Sequence, residues 1–175
     1  QRRRFKGKEF HNSPYQDRLT SNYSAGIEGE CLGTASLYSS IYITTAPSEA
    51  AVVSLGYTDY MGWHKGVSPF DKPGVRFIKT YQNQASLWCN HLNSINYMGK
   101  SSWAPSTWQQ LIDVYRHFGK AYNVLGWPTY RRYWTPVWTS RPLHGTSFKV
   151  ISLEEGNDEY QPGTYDGFTS YSVTK

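Results

Sequence analysis

Residues 106–119 read STWQQLIDVYRHFG, and this stretch carries the best-specified helix pattern of the chain. Ser106, with Gln109 three residues later, predicts a capping box in which the two side chains satisfy free amide groups at the helix start. Gly119 predicts the helix end, because glycine adopts a left-handed conformation there without strain. The apolar residues recur at spacings of three and four and share one helix face: Trp108, Leu111, Ile112, Tyr115 and Phe118.

A weaker helix pattern lies about twenty residues upstream. Asn83 is its candidate cap. Its apolar stripe consists of Ala85, Trp88, Cys89 and Leu92. Because both helices carry an apolar face that must be covered, we expect both to pack against a sheet.

Segments rich in β-branched and aromatic residues lie on both sides of the two helices. They comprise residues 40–45, 51–55 and 75–79 before the helices, and residues 148–153 and 170–173 after them. Two short helices inserted into a mainly β chain predict an α+β fold, with the helices packed on mixed antiparallel sheet.

Length and composition limit the class of protein. The 175 residues suit one domain, or a small domain preceded by a compact or partial second one, and they are enough to bury a core. Charged residues make up only 18% of the chain and aromatic residues 17%, so its polarity comes mostly from hydroxyl and amide groups. This composition is typical of extracellular and binding proteins, although a β-rich core also uses tyrosine.

The formal net charge of +5 raises the question of a nucleic-acid partner. The basic residues are dispersed except in a run at 2–8, and no nucleic-acid-binding motif accompanies that run. We therefore predict a solvated basic arm at residues 1–8 and no nucleic-acid partner. The chain has no run of eighteen apolar residues, so we also predict no direct insertion into a membrane.

Cys31 and Cys89 are the two cysteines of the chain. In a chain of low charge that is rich in Tyr and Ser, two cysteines favour one disulfide formed in an oxidising compartment. Such a bridge would stabilise the fold by roughly 4 kcal/mol through its effect on the unfolded state. The alternative is that Cys89, on the apolar stripe of the first helix, is a buried free thiol.

Residues from about 75 to the C-terminus resemble the C-terminal lectin-like domain of the intimin/invasin adhesins of Gram-negative bacteria. The resemblance covers somewhat more than half of the chain and rests on three groups of residues. These are QASLWCNHL at 84–92, LIDVY at 111–115 with Gly119, Ala121 and Asn123, and GWPT at 126–129 with Tyr133 and Trp134. A strand pattern at 148–153 and a final Tyr-containing strand complete the family order.

The resemblance implies a C-type-lectin-like recognition domain at residues 75–175 that uses neither calcium nor another cofactor. In the family, this domain usually follows immunoglobulin-like modules. Residues 1–74 are then a β-rich segment and at most a partial immunoglobulin-like unit, since a complete sandwich takes about 100 residues. The family's cysteine on the first helix matches Cys89, but the chain ends SYSVTK without the usual C-terminal partner. A bridge would therefore have to join Cys89 to Cys31.

The resemblance also implies an activity and a location. Members of the family grip a host or partner protein, so the implied function is adhesion to a protein receptor or a surface glycan. The implied location is secreted, or at the cell surface of a Gram-negative bacterium. The chain is then either the tip of a longer adhesin or a separately secreted relative, with a barrel-type outer-membrane protein as its parent chain or partner.

The segment 127–144 offers the best candidates for contact with a partner. It combines a polar stretch after a Pro turn with a Pro-interrupted aromatic segment. Exposed aromatic and arginine side chains dominate the energetics of protein interfaces. The predicted binding residues are Tyr130, Arg131, Arg132, Trp138, Arg141 and His144. Three other tryptophans are predicted to pack in the core: Trp88, Trp108 and Trp134.

Metal binding and catalysis receive less support from the sequence. The acidic run EEGNDE at 154–159 has a Gly-Asn centre between strand patterns, which is more typical of a solvated hairpin turn than of a metal site. The five histidines are scattered, and nucleophile-elbow, P-loop and metalloprotease motifs are absent. We therefore predict that the chain is no enzyme. A secreted polysaccharide-active or toxin-like enzyme is the alternative, because catalytic triads assemble from distant positions.

Overall fold

A computed structural model of the chain describes residues 34–60, 62–67, 76–121 and 127–175. These residues form three α-helices: α1 (Glu49–Ser54), α2 (Leu87–Ser94) and α3 (Trp108–Phe118). The strands are β1 (Ala35–Leu37), β2 (Ile41–Ile43), β3 (His64–Val67), β4 (Arg76–Lys79), β5 (Ala104–Pro105), β6 (Tyr133–Arg141), β7 (Gly145–Ile151), β8 (Asp158–Pro162) and β9 (Tyr171–Thr174). Two short 3₁₀ turns, Gln82–Gln84 and Tyr97–Gly99, flank α2.

Within the described part of the chain, the strands form three antiparallel sheets. The central sheet has the order β1-β2-β9-β5, β3 pairs with β4, and the third sheet has the order β6-β7-β8. Strand β2 near the start of the described chain pairs with β9 at its end, for example through Tyr42 and Val173. The predicted α+β class, with helices and antiparallel sheet, is confirmed.

The central sheet separates two groups of buried side chains. One face carries Leu37 and Ile43, which pack with Leu111 of α3. The other face carries Tyr171 and Val173, which pack in a second group with side chains of α1 and α2. The helices predicted to cover a sheet therefore do so from opposite faces, and this arrangement keeps α2 and α3 apart.

Helix α3 begins one residue later than the sequence predicts. Thr107 is the cap and Gln110 its capping-box partner, so the prediction of Ser106 with Gln109 is wrong. The reason lies elsewhere in the chain, because the fully buried Ser106 hydroxyl bonds to the hydroxyls of Ser170 and Ser172 at 2.8 and 2.7 Å. The predicted end is confirmed, since the Gly119 N–H donates to the carbonyl of Tyr115 at φ +72°.

The prediction of a strand at 51–55 is wrong, because most of this segment belongs to helix α1. The Ser48 hydroxyl accepts a hydrogen bond from the Ala51 amide and caps the helix. Within α1, Ala51 and Val52 are buried while Val53 is 57% exposed. An apolar pattern over so few residues fits a strand and a helix equally well. The cap and the packing therefore decide between the two structures.

Helix α2 also begins later than predicted, at Leu87, and Asn83 lies in the preceding 3₁₀ turn. Its predicted apolar stripe is confirmed for Trp88, Cys89 and Leu92, which are all buried, whereas the predicted Ala85 lies before the helix and is partly buried. The core predictions for Trp88 and Trp134 are confirmed too, whereas Trp108 is partly buried at the edge of its cluster.

The predicted division into residues 1–74 and 75–175 falls within 68–75, which lie outside the described residues together with the predicted basic arm 1–8. It stays a prediction. Of the segment before this boundary, β1 and β2 share the central sheet with β5 and β9. No helix in the described ranges is both long and apolar enough to cross a bilayer.

Candidate functional site

The β6–β7 hairpin contains a bulge that sets the direction of its distal half. Trp134 lies opposite Val150 and Trp138 lies opposite Phe148, so four steps along β6 match two along β7. Within the bulge, the Thr135 hydroxyl donates to the Lys149 carbonyl at 2.9 Å and accepts from the Val137 amide at 3.2 Å. Pro136 fits there because a bulged residue needs no ladder N–H, and such bulges often re-aim side chains at binding sites.

The distal half of this hairpin exposes several large apolar side chains. Trp138 is 61% exposed and Leu143, in the turn, is 92% exposed. Among the described residues, three of the seven exposed large hydrophobic side chains lie within 137–143. We call residues 137–144 the distal hairpin. Its apolar side chains would lose water contact only by binding something else.

Three of the predicted binding residues lie on the distal hairpin: Trp138, Arg141 and His144. Arg141 and His144 bracket the turn, where the His144 amide donates to the Arg141 carbonyl at 3.2 Å. The Arg141 guanidinium lies 5.7 Å from the centroid of the Tyr160 ring on β8. Because side chains alternate along a strand, Trp138 lies on the face of Phe148, whereas Arg141 lies on the opposite face of the hairpin, beside Tyr160.

The other three predicted binding residues lie elsewhere and contact the protein itself. The Tyr130 ring packs edge-on against Phe168 at a centroid distance of 5.2 Å. Arg131 Nε donates to the Asp166 carbonyl at 2.7 Å, and its guanidinium lies 4.5 Å from the Tyr165 ring. Arg132 donates to Asn157 and forms an ion pair with Glu159 at 3.7 Å. Both contacts join parts of the fold. A binding role for all six residues stays a prediction.

A neighbouring row of side chains with polar groups was not predicted from the sequence. Lys149 lies opposite Tyr160 in the β7–β8 ladder, and its ammonium sits 5.2 Å from that ring and 5.5 Å from the Trp108 ring. The Trp108 indole N–H donates to Asp158 at 2.6 Å. These residues come from three elements, so only the strand register could reveal the row.

A pocket of about 120 Å³ opens beside the bulge. Its walls come from β5, from β6 and from the residues before α2 and β9, and they include Gln82, Ser86, Pro105, Trp134, Pro136 and Ser170. None of the ten residues that line it is charged. No sequence motif predicted this pocket, because its residues are brought together from four separate stretches of the chain.

Ionisable side chains converge at a different place. One oxygen of Asp166, Oδ2, lies 3.1 Å from His64 Nδ1 and 3.1 Å from the Lys79 ammonium. His64 Nε2 faces the Tyr81 hydroxyl at 3.5 Å. The imidazole is half-exposed, so this cluster lies at the surface and not in a deep cleft.

Cys89 is a free, buried thiol in the structure. Its Sγ donates to the Trp103 carbonyl at 3.0 Å, and burial raises the pKa of the thiol to about 12. A thiol held protonated in this way is a poor nucleophile. Cys31 lies outside the described residues, so the predicted bridge between the two cysteines stays a prediction.

The first part of the acidic run, residues 154–157, lies in the predicted turn between β7 and β8, with Gly156 at φ +78°, and Asp158 and Glu159 begin β8. Glu154 accepts a hydrogen bond from Thr129 at 2.7 Å and lies 3.4 Å from the Lys120 ammonium. Across the ranges that the structure describes, no group of three or more His, Cys, Asp or Glu side chains is placed to hold a metal ion.

Comparison with known proteins adds no relative: no protein-family model, curated protein or solved structure matches the chain. The resemblance to intimin/invasin adhesins therefore rests on the residues quoted above and on the order of the elements.

Proposed function

We propose that this chain is a non-catalytic recognition domain of the C-type-lectin-like, intimin/invasin type, which binds a protein receptor outside the cytoplasm. The distal hairpin is the contact surface. The observation that carries the proposal is the exposure of Trp138 and Leu143 together on one short, ordered hairpin.

The architecture supports the choice of fold. Two helices in the second half of the chain cover antiparallel sheet, and a separate three-stranded sheet follows them and carries the candidate surface. The order of elements matches the expected family order of two helices, strands near 148–153 and a final strand near 170–173. The location at the surface of a Gram-negative bacterium, as an adhesin tip or a secreted relative, follows from the same resemblance.

The chemistry of the distal hairpin supports binding to a protein. Tryptophan and arginine are the side chains most enriched among residues that dominate binding energy. The β6–β7 ladder holds the backbone at Trp138 and Arg141, so a partner that covers either side chain does not have to order the backbone there. The two hydrogen bonds of the Thr135 hydroxyl hold the backbone of the bulge from which the distal hairpin continues.

Adhesion to host cells tests this proposal. Beads coated with the domain should attach to cultured epithelial cells, and Trp138→Ala should reduce the bound fraction at least about tenfold, since truncating a central aromatic often costs 2 kcal/mol or more. Leu143→Ser should act in the same direction. Val53→Ala is the matched control, because Val53 is 57% exposed on α1, and it should leave attachment unchanged. Attachment by Trp138→Ala beads at the wild-type level would contradict the proposal.

The ionisable cluster favours a second candidate function, an enzyme acting on a polysaccharide or another surface substrate. Asp166 can orient His64 through Nδ1, and the opposite nitrogen then faces the Tyr81 hydroxyl. This order of carboxylate, imidazole and hydroxyl is the one that activates nucleophiles in catalytic triads.

Product release from a panel of bacterial and host polysaccharides separates the two functions. If the domain only recognises its partner, wild type and His64→Gln should both release no reducing ends above buffer. The glutamine keeps a polar side chain of similar reach but cannot shuttle a proton. Turnover by the wild type that is lost in His64→Gln, with an unchanged circular dichroism spectrum, would establish the enzyme.

A further inference from the structure

We propose that the pocket between β5, β6 and the start of α2 is a subsite for a neutral sugar ring. This inference deepens the proposed recognition function and rests on it, because the pocket shares Thr135 and Pro136 with the bulge that leads into the distal hairpin. A partner that covers Trp138 therefore also lies next to the pocket mouth.

The walls of the pocket are held in place by hydrogen bonds that they make to the rest of the fold. The Trp134 indole N–H donates to the Thr80 carbonyl at 3.0 Å, and the Ser170 hydroxyl donates to the Thr44 carbonyl at 2.6 Å. The Tyr171 hydroxyl donates to the Ala85 carbonyl. These groups are thus occupied, and they give a pocket that is already formed before a ligand enters.

Two polar side chains of the pocket retain hydrogen-bonding capacity. Neither the Gln82 amide nor the Ser86 hydroxyl makes a side-chain hydrogen bond to any of the described residues. An amide offers two donors and an acceptor, and a hydroxyl offers one donor and an acceptor. A purely apolar ligand would remove water from these groups and leave them without partners, which costs free energy.

The rest of the pocket surface is apolar or consists of polar groups that already have hydrogen-bond partners in the protein. Pro105 and Pro136 are exposed at the rim and Trp134 forms a wall. A sugar ring matches this combination, because its C–H face packs on apolar surface while its hydroxyl edge bonds to Gln82 and Ser86. Since no charged residue lines the pocket, a carboxylate or phosphate would lose its hydration without gaining an ion pair.

Titration with methyl glycosides of glucose, galactose and N-acetylglucosamine tests the subsite, with saturation-transfer NMR as the readout. We expect at least one of them to bind. Gln82→Ala should weaken that binding about three- to tenfold, the effect of losing one or two neutral hydrogen bonds. Ser86→Tyr should abolish it by filling the pocket from an exposed position before α2. Gln109→Ala, an exposed glutamine on α3, is the matched control and should bind normally.

The same variants separate this inference from the adhesion proposal. Trp138→Ala should bind the free glycoside normally, because Trp138 does not line the pocket. Binding of none of the three glycosides, equal binding by Ser86→Tyr, or tighter binding of glucuronate would overturn the subsite. If adhesion nevertheless depends on Trp138, only the subsite fails. If a glycoside binds but the Trp138 variant adheres normally, only the hairpin proposal fails.

Discussion

Replacing Phe168 with alanine should lower the free energy of unfolding by about 3–5 kcal/mol, the usual cost of removing a large aromatic side chain from a packed core. Phe168 is fully buried. Its ring contacts those of Phe77, Tyr130 and Tyr133 at centroid distances between 5.2 and 6.4 Å. The substitution therefore removes partners from β4, from the loop before β6 and from β6 itself.

The surrounding chain has little freedom to close the resulting cavity. The Phe168 amide donates to the Arg132 carbonyl, and the Phe168 carbonyl accepts from the Trp134 amide, both at 2.9 Å. Urea unfolding followed by tryptophan fluorescence measures the loss. Phe118→Ala is the matched control, because Phe118 is only partly buried at the end of α3. An equal or larger loss for Phe118→Ala would contradict this account of the core.

Raising the pH from 9 to 12 should destabilise the fold by an amount comparable to the loss of Phe168. Burial raises the pKa of the Cys89 thiol from 9.0 to about 12. Burial also raises the pKa of Tyr171 above its ordinary value. Burial, with a hydrogen bond to Asp113, raises the pKa of Tyr38 to about 12.

The sign follows from proton binding in the two states. Between the ordinary and the raised pKa, the unfolded chain releases protons that the folded chain retains, so the free energy of unfolding falls as the pH rises. The stabilising contribution of these three groups is present in full below pH 9 and is lost progressively toward pH 12. For Cys89 alone the three-unit shift corresponds to about 4 kcal/mol, at about 1.4 kcal/mol per unit.

Urea unfolding at pH 8, 10 and 11.5 measures this loss, and Cys89→Ala isolates the thiol. The variant should show a flatter dependence on pH, and the Trp103 carbonyl keeps a partner because Asn93 also donates to it at 3.0 Å. Thiol titration in denaturant without reductant tests the alternative, a disulfide between Cys89 and Cys31. A bridged chain would show no free thiol. A pH dependence as steep in Cys89→Ala as in the wild type would exclude the thiol as its source.

Much of the secondary structure could be predicted from the sequence where the determining residues are close together. The apolar spacing of α3, its end at Gly119 and the buried stripe of α2 each depend on neighbours within one or two turns. The start of α3 was misplaced by one residue because Ser106 bonds to Ser170 and Ser172, more than sixty residues away. The segment 51–55 was misassigned because its apolar residues are too few to show a period.

The candidate site shows the same limit. Aromatic and arginine content alone selected six residues between 130 and 144, but it could not divide them. Arg131 and Arg132 contact Asp166, Asn157 and Glu159, which approach only when the later strands are in place. Trp138 is exposed although Trp134, four residues earlier on the same strand, is buried, since most residues of β6 after Thr135 lie outside the core.

The sequence by itself determined the α+β class, the two amphipathic helices after residue 82 and the aromatic segment that carries the candidate contacts, because short-range spacing sets each of them. The tertiary structure alone decided which faces the helices cover, which arginines are engaged, and that a neutral pocket lies beside the distal hairpin. Those features depend on strand register and on contacts between residues as far apart as Thr44 and Tyr171, which no local pattern encodes.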